Sequence, residues 1–288
     1  MKTEQEDATS RGSSNPSAVT PVEAPFSIRA QRLLRQYAPP LMLMLLLFVV
    51  WQVGTWVTRV PKWLLPSPLQ IIQAGVEASD LLGPHVWQTL KETWLGLALA
   101  LVVGLGLALV IDLSAVLRRT IYPLLVASQT VPILALAPLL IIWFGYGILP
   151  KVIVVGLVCF FPIVVSTADG LRVADPDLIA LLRSMGANRR QIFWKVRLPG
   201  ALPSFFSGLK IAITYSVVGA VIGEWVGASR GLGIFMIRSS KNFLTDRVFA
   251  AIAVTSLLSI MMFVAVVVLE HTLLPWYHAH REEVWEET

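Results

Sequence analysis

Long apolar runs separated by short polar breaks occupy most of the chain, and each run has the length of a bilayer-spanning helix. The first block covers residues 39–57, directly after Arg29, Arg32 and Arg35. A stretch with Pro61, Pro66, Pro68 and Asp80 follows, too broken and polar to span. The second block, 93–111, stops at Asp112, Arg118 and Arg119, and the third, 121–144, carries Pro132 and Pro138. Gly145, Tyr146, Gly147 and Pro150 form a turn into the fourth, 151–167. A polar segment, 169–203, precedes the fifth block, 204–227, and the sixth covers 248–269. At ~1.5 Å per residue, ~20 residues cross ~30 Å of hydrocarbon. The pattern predicts an all-α polytopic membrane protein with about six transmembrane helices.

Composition sharpens this reading. Only 14% of the 288 residues are charged, 56% are hydrophobic, and mean hydropathy is +0.71. Soluble domains carry about 25% charged residues, so too little polar surface remains here to coat a water-soluble globule. The net charge of +5 resides in Lys and Arg between apolar blocks, not on one basic face, so no nucleic-acid partner is expected. Most of these cations, including Arg118, Arg119, Arg172, Arg183, Arg189, Arg190, Lys195 and Arg197, fall on the side that holds both termini. That bias places the termini in the cytoplasm. Cys159 is the single cysteine, so neither a disulfide within the chain nor a multi-cysteine metal site enters the argument. The polar start has no apolar core behind a basic leader and reads as a disordered tail, not a signal peptide.

The fifth block contains Gly219, Gly223 and Gly227 at four-residue spacing, a stripe that lets another helix approach closely. In the polar segment, Leu178, Leu181, Leu182 and Met185 recur at helical spacing, and Gly186 supplies a turn. A second short amphipathic helix follows, with Ile192, Phe193 and Val196 opposite Arg189, Arg190 and Lys195. Pro199 and Pro203 are expected to end it and redirect the chain into the next span. Such a hairpin can lie along the membrane surface or dock on a partner.

Gly186, nine residues, then Val196, Arg197, Leu198 and Pro199 resemble the cytoplasmic loop of importer permeases of the ATP-binding cassette (ABC) superfamily. The Glu-Ala-Ala that opens that motif reads Ala180-Leu181-Leu182 here, so its acidic residue is absent. Leu65-Pro66-Ser67-Pro68, the 132–138 run followed by Trp143-Phe144-Gly145, and the run from Gly223 to Ala228 are similar to the branch serving alkanesulfonates, taurine, nitrate and vitamin precursors. The last of these looks most like permeases for riboflavin or the thiamine pyrimidine precursor. The resemblance covers about residues 65–269 and implies a type I ABC importer permease-like fold. The chain then divides into a disordered cytoplasmic tail, 1–38; a first transmembrane helix and start of a loop, 39–64; a permease core, 65–270, with a coupling segment at 172–203; and a cytoplasmic tail, 271–288.

The resemblance further implies two separate ATPase subunits, an extracytoplasmic solute-binding protein and a second permease copy, as homodimer or heterodimer. No Gly-x-x-x-x-Gly-Lys-Ser/Thr occurs in the chain, so no cofactor is expected on it and ATP with its Mg²⁺ belongs to the partner. By the same resemblance, Leu181, Leu182, Arg183, Met185, Gly186, Arg189, Arg190, Phe193, Leu198 and Pro199 contact the ATPase. Glu224, with Trp225, is the acidic candidate for the solute path or its outer gate, and the glycine stripe is a candidate dimer seam. An enzyme is not expected. A secondary transporter driven by an ion gradient is the rival class, and for it the sequence offers only Lys210, placed where it can snorkel.

Overall fold

The computed structural model describes residues 26–277, with side chains from Ala38 onward. The described residues form helices and turns, with no strand among them. The chain divides into two compact units, one ending at Trp51 and the other beginning at Gln52. Most of the first helix, α1 (Phe26–Thr58), belongs to the first unit. The helix begins at Phe26, inside the stretch expected as a tail (1–38), where Arg29, Ala30, Gln31 and Leu33 are good helix formers. The rest of that expectation, and residues 278–288, lie outside the described residues.

The second unit starts its helical run with α2 (Pro68–Glu77), fixed by a capping box between Ser67 and Gln70. α3 (Ser79–Leu113) begins well before the apolar run near residue 93. Its first turns are amphipathic, with Leu82 buried and Leu81 and Trp87 exposed. α4 (Ala115–Ser128) and α5 (Ile133–Phe144) replace the expected straight third span and meet at 96°. Pro132 supplies no N–H to continue the helix, and the hydroxyls of Ser128 and Thr130 bond the carbonyls of Leu125 and Ala127 at 2.7 Å each. Together with α1, α3, α6 (Leu149–Gly170), α9 (Leu198–Trp225) and α11 (Thr245–Leu273), the bent pair gives six candidate spans among the described residues.

The core forms where α6 lies between α3 and α9. Cys159, Ile163, Ala212, Ile213 and Val217 are buried together there. Glycines set the separation: a Cβ on Gly96 would run into Val155, and one on Gly223 would stand 3.2 Å from the Lys151 Cα. Gly219 likewise faces Val155. The stripe thus packs on α6 of the same chain, which removes it as a dimer seam. Gly227 is no part of the stripe, since α9 ends at Trp225, and it meets the Tyr146 ring instead.

Candidate functional site: a docking hairpin and a buried polar latch

Between α6 and α9 the chain folds as a compact hairpin. Asp175 caps α7 (Pro176–Ser184) by accepting from the Asp177 N–H at 2.8 Å, and Pro176 occupies the first turn. Gly186 at φ +83° ends it, and the Ala187 N–H returns to the Leu182 carbonyl at 2.9 Å. That bond is the signature of a left-handed helix stop, where glycine avoids a Cβ clash. Asn188 and Gln191 then exchange side-chain-to-backbone bonds of 2.8 Å and start α8 (Arg189–Ile192).

The expected break at Pro199 and Pro203 is absent. α8 passes through one π-helical turn, Phe193–Arg197, directly into α9, so 189–225 is a continuous helical run. Pro199 falls in the first turn of α9, where its missing N–H is tolerated, and the wider π turn absorbs the change of register. The extra residue in that turn also rotates the apolar phase. Phe193 is half-buried, while Trp194 is 58% exposed. Leu181 and Met185 are 56% and 74% exposed, Leu178 is exposed, and Leu182 is half-buried. The free apolar surface therefore consists of Leu178, Leu181, Met185 and Trp194, with Leu182 and Phe193 turned partly inward. Leu198 and Pro199 are half-buried at the root of α9. Arg183, Arg189 and Arg190 are exposed, and the first two share a crevice of about 450 Å³ with Arg172 and Arg197.

Arg197 ties the hairpin to the core. Its guanidinium donates to both Asp112 carboxylate oxygens, at 2.9 and 2.7 Å, and its Nε donates to the Leu171 carbonyl at 3.1 Å. A planar fork against a carboxylate fixes angle as well as distance. Arg118 adds a longer bond of 3.3 Å to Asp169.

At the far end of α9 lies a second polar cluster. Glu224 is buried, accepting from the Thr89 hydroxyl and from the Gly233 N–H, both at 2.6 Å. Thr89 in turn accepts from the Leu232 N–H at 2.9 Å, and His85 Nδ1 lies 2.9 Å from the Gly231 nitrogen. These bonds hold α10 (Leu232–Lys241), a helix the hydropathy pattern did not predict, against α3 and α9. Gly231, at φ +132°, admits the Glu224 carboxylate where a Cβ would overlap it. Glu92 is also buried and accepts from Gln88 at 2.8 Å. Lys151, 3.9 Å from Glu92, donates to the Gly147 carbonyl at 2.8 Å. Glu224 therefore braces a helical turn with both oxygens engaged and does not stand open to a channel. Trp225 beside it is partly exposed.

Sequence reasoning gave Thr89, Glu92 and Lys151 no place in a site, and it did not pair Asp112 with Arg197. His85, Gln88, Thr89 and Glu92 recur at three- and four-residue intervals, a polar face that could have been read once the helix was begun at residue 79. Lys210 does not snorkel: it pairs with Glu270 of α11 at 2.8 Å.

Residues 96–274 match the family described as binding-protein-dependent transport system inner membrane component. The chain belongs to that family. It is thus a membrane-embedded permease component of an ABC importer. The formylaminopyrimidine transport permease protein of Halalkalibacterium halodurans is 44% identical over 242 residues, covering 84% of this chain and 96% of its own. The riboflavin transport system permease protein of Chloroflexus aurantiacus is 36% identical, with 82% and 89% covered. The taurine transport system permease protein of Escherichia coli is 33% identical, with 82% and 88% covered. Among solved structures, the inward-facing MetNI methionine ABC transporter shares the fold, with a TM-score of 0.61 at 22% identity over 68% of this permease and 97% of that chain.

Proposed function

We propose that this permease imports a pyrimidine-type vitamin precursor, in complex with two ATPase subunits, an extracytoplasmic binding protein and a second permease copy. The observation that carries the solute reading is the 44% identity to a formylaminopyrimidine permease, against 36% to a riboflavin permease and 33% to a taurine permease. Riboflavin is the neighbouring alternative within the same chemistry, and sulfonates, taurine and nitrate use the same machinery for another.

In this reading the termini and the hairpin face the cytoplasm of a cell with the permease in its inner membrane, following the distribution of Lys and Arg. The partner ATPase holds ATP and its Mg²⁺ and closes on nucleotide. Leu181, Met185 and Trp194 enter its surface groove, with Leu182 and Phe193 behind them and Gly186 fixing the angle between α7 and α8. Arg183, Arg189 and Arg190 orient the encounter, since rim charges contribute more to steering than to affinity. ATP-driven closure moves the hairpin and, through Arg197 and Asp112, the spans, which rock between two access states. Glu224 and Trp225 act at the opposite end, holding the α9–α10 turn that closes the extracytoplasmic gate.

The test is reconstitution of the permease with its ATPase and binding protein in liposomes, with labelled formylaminopyrimidine, riboflavin and taurine offered separately outside. ATP-dependent accumulation of formylaminopyrimidine, competed weakly by riboflavin and not by taurine, is the expected result. Accumulation of taurine alone overturns the solute reading, and uptake on an ion gradient without ATP overturns the mechanism.

A further inference from the structure

One groove on the face of the spanning helices, mostly apolar but carrying three polar side chains, has no part in the docking hairpin or the latch. It lies open where the break between α4 and α5 meets α6 and α9, offers about 500 Å³, and is lined by Gln129, Phe161, Pro162, Ser166, Ile211 and Tyr215, with Val158 and Val165. That is ample for a single-ring or fused-ring heterocycle. Tyr215 stands ten residues before the Trp225 end of α9, ~15 Å along the axis and so about halfway through ~30 Å of hydrocarbon.

The polar groups here are unusual for their setting. Ser207 and Thr214 lie on the same exposed face of α9, but each hydroxyl donates to a carbonyl four residues back, the normal refuge of a hydroxyl in lipid. The Gln129 amide and the Ser166 and Tyr215 hydroxyls have no side-chain hydrogen bond among the described residues. Three such groups converging at mid-span are costly against lipid tails and are at home against water or a polar solute. Ser166 is close enough to Gly208 that a Cβ there would clash, so the glycine keeps that hydroxyl in place beside α9.

We propose that this groove is a resting site for a planar, uncharged nitrogen heterocycle on its way through the membrane. The ring lies against Phe161 and Tyr215, and its donor and acceptor edge meets the Gln129 amide and the Ser166 hydroxyl. Aromatic side chains bind nucleobase-like rings by stacking, and a carboxamide matches the amino–imino edge of an aminopyrimidine with one donor and one acceptor. No Lys or Arg lines the groove, whereas a sulfonate or nitrate would call for a cation. The inference deepens the pyrimidine reading above and rests on it.

The experiment uses the whole transporter in liposomes, with two readouts. The first is solute moved per ATP hydrolysed. Gln129→Ala and Tyr215→Ala are expected to lower that ratio about tenfold while binding-protein-stimulated ATP hydrolysis stays within twofold of wild type, and Tyr215→Phe, which keeps the ring, is expected to lower it less. The second is labelling of Ser166→Cys by a charged, water-borne thiol reagent, which formylaminopyrimidine should slow; native Cys159 is buried and serves as the silent background. Pyrimidine uptake with an unlabelled Ser166→Cys and unchanged ratios overturns the groove while leaving the solute reading standing. A groove that labels in a transporter that moves taurine and no heterocycle overturns both.

Discussion

Replacing Arg197 with lysine keeps the charge and removes the fork, which isolates what the geometry of that residue contributes. The guanidinium makes three hydrogen bonds, two to Asp112 and one to the Leu171 carbonyl. A lysine ammonium can keep one of the carboxylate bonds and cannot also reach Leu171. Hydrogen bonds to charged groups contribute about 1.5–3 kcal/mol each and neutral ones about 1 kcal/mol. The Arg197 side chain is 28% exposed and that of Asp112 10%, so water replaces part of what is lost. Discounting for that, the net loss is about 2–3 kcal/mol. At 1.4 kcal/mol per tenfold, the hairpin should open locally about 30- to 150-fold more often. Hydrogen exchange followed by mass spectrometry on the assembled transporter reads this directly. Amides of residues 171–173 and 189–197 should exchange faster by that factor, with those in the middle of α6 unchanged. A change below threefold would refute the claim that the fork holds the hairpin to the core.

Two further outcomes follow from the same geometry. Leu181→Asp puts a charge on the exposed apolar face of α7 and should abolish co-purification of the ATPase, while the thermal unfolding midpoint of the permease stays within about 2 °C because nothing buried is disturbed. Glu224→Gln can turn its carbonyl to the Gly233 N–H and its amide to Thr89, whose hydroxyl has a second acceptor in the His85 carbonyl at 3.1 Å. The stability cost should then be about 1 kcal/mol. If the gate depends on the carboxyl itself, uptake falls tenfold or more in the same variant; uptake at the wild-type rate removes Glu224 from the gate.

Hydropathy alone located the spans, because twenty apolar residues in a row have few other stable uses. It misplaced their ends wherever polar residues lie on one face of a helix. Hydropathy begins the second span only at residue 93, yet α3 starts at Ser79, and His85, Thr89 and Glu92 in its first turns are bonded or buried within the protein. The 129–132 break was visible as Pro132, but its 96° bend depends on which carbonyls neighbouring hydroxyls capture. The hairpin was legible as a motif, since Gly186 and Leu198-Pro199 carry fixed spacing. Its phase was not, because a π turn leaves no mark in composition and exchanges Phe193 for Trp194 at the surface. Arg197 with Asp112, 85 residues apart, and Glu224 with Thr89, 135 apart, were beyond any local pattern.

The unbroken run from Arg189 to Trp225 has a mechanical consequence. Thirty-seven residues of helix make a rod of ~55 Å, so a tilt of ~10° at one end sweeps the other through roughly 10 Å. Had the prolines cut the chain at the root of α9, a push on the hairpin would have been lost at a flexible joint. As built, the ATPase would grip the short arm of a lever whose long arm ends at Glu224, and small strokes below would become large displacements above.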